Sequence, residues 1–258
     1  MPNTIEQVST LWRSLIDEYL AEGPHAMHWD SLRTYKVLEG HTGTVNTCAI
    51  SPDNTLVAST ALDGTLRLWS ATNGNQLRIL MEPGRLKERS LYNSGDYCVF
   101  SPDGKLLAVS MNTDVFLAVW RTTDWSRVPV AGGVHRHRIR CIAFAPDGAT
   151  LATTSIDKTV KIYSVMVCER GELYKVTEVR QLAGHGTLKA AAFSPCGRHL
   201  VTTDSNRGTA NVWCTADYSL LHTIEQEEGT RAWRYWLVRM YVLAWRFDKL
   251  AIALPSTG

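Results

Sequence analysis

The sequence predicts an all-β fold built from repeated four-stranded sheets. Four stretches follow one template: an apolar run ends at a tight turn, a strand rich in Thr and Ser follows, and a second polar turn leads to an aromatic residue. Repeats of this kind bury their apolar faces only by packing against one another, so we expect an array of similar units. The residue before the first turn recurs at steps of 50, 44 and 49, at Ile50, Phe100, Phe144 and Phe193. The closing aromatic residue follows similar steps, at Trp69, Trp120, Tyr163 and Trp213.

Short strands separated by turn residues define each unit. In the first copy the pattern predicts strands at Val45–Ile50, Leu56–Thr60 and Thr65–Trp69, joined by Pro-Asp-Asn and Asp-Gly turns. Val, Thr, Leu and aromatic residues favour strands, whereas Pro, Asn, Asp and Gly favour tight turns. A fourth strand follows in every copy, at Gln76–Leu80, Arg127–Val130, Leu173–Leu182 and Leu220–Ile224.

The composition is that of an ordinary soluble protein. The chain has 258 residues, 45% of them hydrophobic, and a formal net charge of +2, which does not favour a polyanion-binding protein. Its start, MPNTIEQVST, lacks the pattern of a signal peptide, and no apolar run approaches the roughly 18 residues of a membrane span. We therefore expect a cytoplasmic or nuclear protein that does not contact a membrane.

The six cysteines do not indicate a metal site. None of them forms a Cys-x-x-Cys pair, so we expect no bound metal and no cofactor. Cys48 and Cys98 stand at the same repeat position, two residues before Ile50 and Phe100. The pattern predicts that both are small buried hydrophobic residues.

The spacing of a His, a Pro-Asp-Gly turn, a Ser-x-Asp turn and a closing Trp resembles the WD-repeat β-propeller family over about residues 35–224. This resemblance implies that each repeat supplies the outer strand of one blade and the three inner strands of the next. It also implies a hydrogen-bonded network in each repeat, which joins a His before the first strand, a Ser or Thr on the second strand, the turn Asp and the closing Trp.

The four copies retain this implied network unevenly. Ala61 and Asn112 occupy the hydroxyl position of the first two copies, and Arg207 replaces the acid of the fourth. A network that recurs in each repeat satisfies buried polar groups rather than activating one nucleophile, and no Gly-x-Ser-x-Gly motif is present, so we expect no enzyme activity. The implied members are His41, Asp63 and Trp69; Asp114 and Trp120; His135, Ser155, Asp157 and Tyr163; and His185, Ser205 and Trp213.

The N-terminal segment, residues 1–33, is predicted to be a helical extension. Apolar residues recur at three- and four-residue intervals over residues 4–21, which is typical of an amphipathic helix, and Gly23-Pro24 ends it. Two interpretations stay open, because such a helix either packs on the propeller itself or docks onto a partner.

The C-terminal segment, residues 225–258, is divergent. Aligning VLAWRFDKLAIAL with CVFSPDGKLLAVS indicates a partial fifth blade, although residues 231–254 also fit a helical period. The resemblance therefore implies an incomplete propeller of four blades within residues 34–224 plus this fragment. A truncated product, a divergent gene model, half of an assembled propeller completed by another chain and a closed ring of five blades all remain open. The segment that would close such a ring is Thr34–Leu38.

Two groups of residues are candidates for partner binding. Leu62 and Ile156 each precede a turn acid, a position that lies near the top surface in the family, and apolar residues at loop tips often mark binding sites. The basic loop at 135–140 contains Arg136, Arg138 and Arg140, which fit an acidic or phosphorylated partner.

The sequence thus favours a non-catalytic scaffold that mediates protein–protein interactions. The alternative is a nucleic-acid or histone-tail binding module that uses the basic loop together with an arginine-rich tail. The tail arginines are Arg231, Arg234, Arg239 and Arg246.

Overall fold

The computed structural model describes residues 37–81, 97–110, 117–133, 135–167, 174–183, 186–204 and 208–225. These residues form 17 strands and their turns, with no helix among them, which confirms the predicted all-β class. In this part of the chain nothing forms a helix long and apolar enough to cross a bilayer. The predicted N-terminal helix and the divergent C-terminal segment lie outside the described residues.

The strands form four sheets in chain order. Sheet I contains β1 (Val45–Ile50), β2 (Leu56–Ala61), β3 (Leu66–Ser70) and β4 (Gln76–Met81). Sheet II contains β5 (Tyr97–Phe100), β6 (Leu106–Ser110), β7 (Ala118–Arg121) and β8 (Arg127–Val128). Sheet III contains β9 (Val130–Ala131), β10 (Ile139–Phe144), β11 (Thr150–Ser155), β12 (Thr159–Val167) and β13 (Tyr174–Ala183). Sheet IV contains β14 (Leu188–Phe193), β15 (His199–Asp204), β16 (Thr209–Cys214) and β17 (Leu220–Glu225).

The predicted meander is confirmed, with one exception in sheet II. The four meander strands of each sheet, β10 to β13 in sheet III, pair antiparallel in succession. The single strand predicted at Arg127–Val130 is instead two strands, because Pro129 has no N–H to donate and interrupts the ladder. Beyond Pro129 the chain leaves sheet II, and β9 pairs in parallel with the outer strand of sheet III, with Val130 opposite Val176.

A common turn joins the first two strands of every sheet. Its last residue has a positive φ in all four copies, a conformation that Gly and Asn adopt at little cost. In sheet I, Asn54 has a φ of 59° and its N–H donates to the Ser51 carbonyl at 2.8 Å. The Asn and Gly residues that predicted a turn in the sequence therefore adopt the positive φ that the turn requires. The glycines at the same position are Gly104, Gly148 and Gly197.

Neighbouring sheets pack face to face along a row of first strands: β1 contacts β5, β5 contacts β10, and β10 contacts β14. We call the face of a sheet that packs on the preceding sheet its leading face, and the opposite face its trailing face. Between sheets I and II, the trailing face of sheet I and the leading face of sheet II share one buried apolar cluster. Similar clusters join sheets II and III and sheets III and IV.

The positions that fill these seams recur with the repeat. On the trailing side of the first seam lie Ala58, Leu66 and Leu68, and on the leading side lie Cys98 and Phe100. Phe193 takes the place of Phe100 in the seam between sheets III and IV. Burying a large apolar side chain stabilises a fold by about 1.5–3 kcal/mol, so these seams hold the array together. Sheet IV presents a matching trailing face, with Val201, Ala210 and Val212 buried.

Candidate interaction surfaces and the networks that position them

A hydrogen-bonded network ties the loop before β1 to the rest of sheet I. Trp69 Nε1 donates to Ser59 Oγ at 2.8 Å, and Ser59 Oγ lies 2.7 Å from His41 Nε2. On its other side, His41 Nδ1 lies 2.9 Å from Asp63 Oδ2. Asp63 also accepts from the Thr65 hydroxyl at 2.6 Å. The network therefore fixes the turn that carries Asp63 against the body of the sheet.

The donors and acceptors of this network assign its protons. The indole N–H of Trp69 can only donate, so Ser59 Oγ accepts from it and turns its own proton toward His41 Nε2. That nitrogen must then be unprotonated, which places the imidazole proton on Nδ1, facing Asp63 Oδ2. Ser59 is only 6% exposed, so its hydroxyl has little access to a substrate.

Sheet III contains an equivalent network in which tyrosine replaces tryptophan. His135 Nε2 lies 2.7 Å from Thr153 Oγ1, and His135 Nδ1 lies 3.0 Å from Asp157 Oδ2. Burial raises the pKa of Tyr163 above its ordinary value, and a hydrogen bond with the Thr153 side chain opposes that rise. Unlike an indole N–H, a phenol both donates and accepts, so this network permits either direction of the Thr153 hydroxyl.

The sequence placed the hydroxyl of these networks two residues too far along the strand. Ser155 does not hold His135; its hydroxyl donates to the His137 carbonyl at 2.9 Å and accepts from the Asp157 N–H. The true position is that of Thr153, because the closing aromatic residue pairs across the strand close to it: Tyr163 lies opposite Leu151.

In sheet I the displacement is the same two residues, and in sheet IV the hydroxyl that meets the closing tryptophan lies three residues before the predicted Ser205. In sheet I the hydroxyl comes from Ser59, so Ala61 does not interrupt the network. In sheet IV, Trp213 Nε1 donates to Thr202 Oγ1 at 2.9 Å. The predicted members His185 and Ser205, together with Arg207, lie outside the described residues.

Sheet II lacks this hydroxyl. Val109 occupies the position of Ser59 and is buried in the seam with sheet I. Trp120 is buried in the same cluster, and the Arg127 guanidinium lies 5.7 Å from the centre of its ring. Apolar packing and a cation–π contact therefore position Trp120. The predicted Asp114, with Asn112, lies outside the described residues.

Burial and hydrogen bonds shift the pKa values of the ionisable groups in the two networks. Burial raises the pKa of Asp63, but hydrogen bonds from Thr65, His41 and the Thr42 N–H outweigh it and lower the pKa to about 2. At Asp157 burial likewise raises the pKa. Hydrogen bonds from Thr159, the Arg136 N–H and His135 outweigh it and lower the pKa below its ordinary value. Burial lowers the pKa of His135 despite the neighbouring Asp157 carboxylate.

The geometry of these networks is structural. The side chains of His41 and Asp63 are 5% and 6% exposed, so a substrate has little access to them. Within the described ranges, no group of three His, Cys, Asp or Glu side chains converges as a metal site would require. The networks hold the turns on which the candidate binding residues lie.

The two apolar candidates differ in exposure. Leu62 is 36% exposed, whereas Ile156 is half-buried. Their backbone N–H groups occupy equivalent places, since Leu62 N–H donates to the Thr44 carbonyl and Ile156 N–H to the Arg138 carbonyl. Both residues therefore lie at the same turn of their sheets, directly before the network carboxylates.

The basic loop separates into a buried part and an exposed part. His135 belongs to the network and is buried, so it does not take part in a surface cluster. Arg136 is exposed, and its N–H donates to Asp157 Oδ2 at 2.8 Å. Arg138 and Arg140 are half-buried. The arginines of the C-terminal tail lie outside the described residues.

The leading face of sheet I contains a surface that the sequence did not indicate. Ile50 is 61% exposed and Val45 is 50% exposed. Cys48 is exposed as well, so its predicted burial is wrong, while that of Cys98 is confirmed. The reason is that Cys98 packs against sheet I, where its thiol lies 3.7 Å from the Ala58 carbonyl, whereas β1 is the first of the row of first strands.

Comparison with known proteins identifies the repeats. The family model described as WD domain, G-beta repeat matches residues 32–70, 132–164 and 176–214. These three matches correspond to the repeats of sheets I, III and IV. The repeat of sheet II, in which Val109 replaces the network hydroxyl, lies between the first and second matches.

Curated proteins of several kinds are similar to this chain. Protein HIR1 of Kluyveromyces lactis is 26% identical over 209 residues, which cover 71% of this chain and 22% of that protein. A guanine nucleotide-binding protein subunit beta of Nicotiana tabacum is 33% identical over 148 residues, covering 53% and 37%. Transcription initiation factor TFIID subunit 5 of Caenorhabditis elegans is 28% identical over 194 residues, covering 74% and 27%. The chain thus spans well under half the length of these three relatives.

Solved structures share the fold. A structure of U3-55K superposes with a TM-score of 0.59 at 22% identity, covering 75% of this chain and 55% of that chain. A crystal structure of RRP9 WD40 repeats gives the same values. The repeat matches thus show that the chain contains three WD repeats, and its four-stranded sheets share the fold of these solved structures.

Proposed function

We propose that this protein is a non-catalytic scaffold that binds other proteins through its sheets and turns. The observation that carries this proposal is the exposure of strand β1 on the leading face of sheet I, at Val45, Cys48 and Ile50. At every other seam the residue equivalent to Ile50 packs against a neighbouring sheet. A strand that presents Val45 and Ile50 to solvent is suited to bind another apolar surface.

The repeat indicates what kind of surface fits there. The other leading faces pack on trailing faces that carry small and aliphatic residues, as at Ala58, Leu66 and Leu68. A partner for sheet I is therefore a β-sheet with the same pattern, supplied by another polypeptide that adds a blade beside β1. Sheet IV is not the natural donor, since Val201, Ala210 and Val212 are already buried.

A pair of charge substitutions tests this proposal. Ile50→Asp places a carboxylate in the centre of the exposed face, and Val179→Asp places the same group on the outer strand of sheet III, where Val179 is 57% exposed. Both variants are checked for folding by circular dichroism and used for quantitative affinity capture. We expect Ile50→Asp to lose partners that Val179→Asp retains. Equal capture by the two folded variants would contradict the proposal.

The turn residues provide a second contact surface for the same function. Leu62 and Ile156 lie at equivalent turns held by the networks, so a partner would meet a fixed backbone there. The double variant Leu62→Asp/Ile156→Asp should weaken partner binding without unfolding the protein. Unchanged binding by a folded double variant would exclude this surface.

Binding of nucleic acid or a histone tail is the second candidate function. It rests on the exposure of Arg136 beside Arg138 in the basic loop. Phosphate contacts make affinity fall steeply as salt rises, because bound counterions are released. The double variant Arg136→Glu/Arg138→Glu should therefore reduce both the affinity for a duplex oligonucleotide and its salt dependence. If the double variant binds the oligonucleotide with the affinity and the salt dependence of the unaltered protein, this function is contradicted.

The relatives support a role within assemblies and a cytoplasmic or nuclear location. Two of them are named as subunits, one of a guanine nucleotide-binding protein and one of the transcription initiation factor TFIID. We infer that this chain acts within a multi-protein assembly and has no enzymatic activity of its own.

A further inference from the structure

Four buried hydroxyl groups take no part in the networks described above. Each belongs to the tenth residue after the strand-ending residue of its repeat and lies on the second strand of its sheet. Each residue is at most 1% exposed. In the ranges that the structure describes, these hydroxyls make no hydrogen bond to any protein group. They belong to Thr60, Ser110, Thr154 and Thr203.

The side chains of Thr60, Ser110 and Thr154 lie on faces that form seams between sheets, and that of Thr203 lies on the trailing face of sheet IV. Side chains alternate between the two faces of a strand, so Thr60 shares its face with Ala58 and lies opposite to that of the network residue Ser59. Ala58 belongs to the cluster between sheets I and II. By the same alternation, Thr154 shares its face with Ala152, in the cluster between sheets III and IV.

A second feature recurs beside these hydroxyls. In sheet I the register of β1 against β2 shifts between Val45 and Thr47, and Thr47 pairs with Thr60. The corresponding shifts in sheets III and IV lie directly beside the partners of Thr154 and Thr203. A bulge of this kind sets two residues against one, bends the strand and interrupts the ladder locally. Peptide groups in irregular register thus lie next to the hydroxyls in three of the four sheets.

An isolated buried hydroxyl is costly, and valine or alanine would fill the same space without that cost. All four copies nevertheless carry a hydroxyl here. A water molecule bound in a polar niche removes the cost when it finds two to four hydrogen-bond partners, and globular proteins hold about one such water per 27 residues. Four sites are therefore an ordinary number for a chain of this length.

We propose that Thr60, Ser110, Thr154 and Thr203 each bind one internal water molecule. The first three waters lie at the seam between that residue's sheet and the sheet that follows it, and the fourth lies on the buried trailing face of sheet IV. The hydroxyl supplies one hydrogen-bond partner, and peptide groups near the strand irregularity supply the others. In sheets I, II and III these waters link the first two strands of the meander to the interface with the next sheet, so they stabilise the packing between repeats rather than the turns.

Two substitutions at Thr154 test the proposal, because a wet site and a dry site predict opposite changes in the urea midpoint of Thr154→Val. Thr154→Val keeps the shape but removes the hydroxyl, whereas Thr154→Ser keeps the hydroxyl and removes a methyl group. With a bound water, Thr154→Val leaves the water without its partner, so the urea midpoint falls below that of Thr154→Ser. In a dry site, Thr154→Val removes an unsatisfied group and its midpoint rises above that of the unaltered protein, which would overturn the proposal.

A direct count of internal water begins with the unaltered protein and compares it with the two folded Thr154 variants. Water oxygen-17 relaxation dispersion measures the number of water molecules with long residence times. We expect the amplitude to drop by one molecule in Thr154→Val and to remain unchanged in Thr154→Ser. A crystal structure should show a water within hydrogen-bonding distance of each of the four hydroxyls. Dry sites at these positions would overturn the proposal.

Discussion

Ile50 and Phe100 occupy the same position in successive repeats, yet Ile50 is 61% exposed and Phe100 only 6% exposed. The difference lies in what faces them. Phe100 packs against the trailing face of sheet I, whereas Ile50 begins the row and lies on an exposed leading face. Equivalent residues of successive repeats therefore have different roles. Phe100 holds two sheets together, and Ile50 lies on a surface suited to binding.

This relationship predicts a large difference between two alanine substitutions. Phe100→Ala leaves a cavity in the seam and should lower the free energy of unfolding by about 3–5 kcal/mol. Ile50→Ala removes a side chain that is mostly in solvent and should cost less than about 1 kcal/mol. Urea denaturation of both variants measures the difference. Equal losses would show that the leading face of sheet I is covered in solution.

The corrected network position predicts the effect of removing Ser59. Ser59→Ala leaves the indole N–H of Trp69 and Nε2 of His41 without their shared partner, so the free energy of unfolding should fall by about 1–3 kcal/mol. Ser70→Ala is a suitable control, because the half-buried Ser70 lies at the end of β3 and its hydroxyl lies 2.8 Å from the Thr72 hydroxyl. A loss at Ser59 no greater than at Ser70 would show that the network adds little stability.

His135 should make the stability depend on pH. Burial lowers its pKa below the ordinary value of 6.5, so the folded protein prefers the neutral imidazole. Below pH 6.5 the unfolded chain takes up a proton that the folded protein does not, and stability should fall as the pH decreases. His135→Gln should flatten this dependence. An NMR titration that gives His135 an ordinary pKa would contradict this account.

Much of the array could be predicted from the sequence, because strand and turn preferences are local. The bounds of β1 at Val45–Ile50 agree with the prediction, and the outer strands β4 and β17 differ from it by one residue. The break at Pro129 was missed, since it depends on β9 pairing with another sheet. The network hydroxyl was missed because residues 59 and 61 share a face of the strand, and only the pairing of Trp69 with Val57 distinguishes them.

The exposed face of sheet I could not be predicted from the repeat. Ile50 follows the same pattern as Phe100, Phe144 and Phe193, so the template assigns all four to one environment. Burial at this position depends on whether another sheet precedes the strand. That is a property of the assembled array rather than of the local sequence, and Cys48 was misjudged for the same reason.

Cys196 should be an unusually reactive thiol. It replaces the aspartate of the turn that Asp53 and Asp103 form in sheets I and II, where Ser51 and Ser101 donate to the carboxylates. The Ser194 hydroxyl and Arg198 stabilise the thiolate in the same way and lower the pKa of Cys196 to about 7. About half of it is then ionised at pH 7, against a few per cent of a thiol with a pKa near 8.5.

Alkylation at pH 7, followed by mass spectrometry, measures this reactivity within one molecule. Cys196 should react several-fold faster than Cys48, which is also exposed. Ser194→Ala should slow the reaction of Cys196 and leave that of Cys48 unchanged. Equal rates for the two thiols in the unaltered protein would contradict the stabilising role of this turn.

Site-specific photo-cross-linking tests the binding role of sheet I most directly. A photoreactive amino acid is placed at position 50, in the exposed leading face, and in a matched protein at position 179, on the outer strand of sheet III. We expect a discrete protein adduct from position 50 alone, with the cross-linked peptide of the partner lying in a strand that alternates small and aliphatic residues. No adduct at position 50, or the same adducts from both positions, would contradict the proposed binding surface.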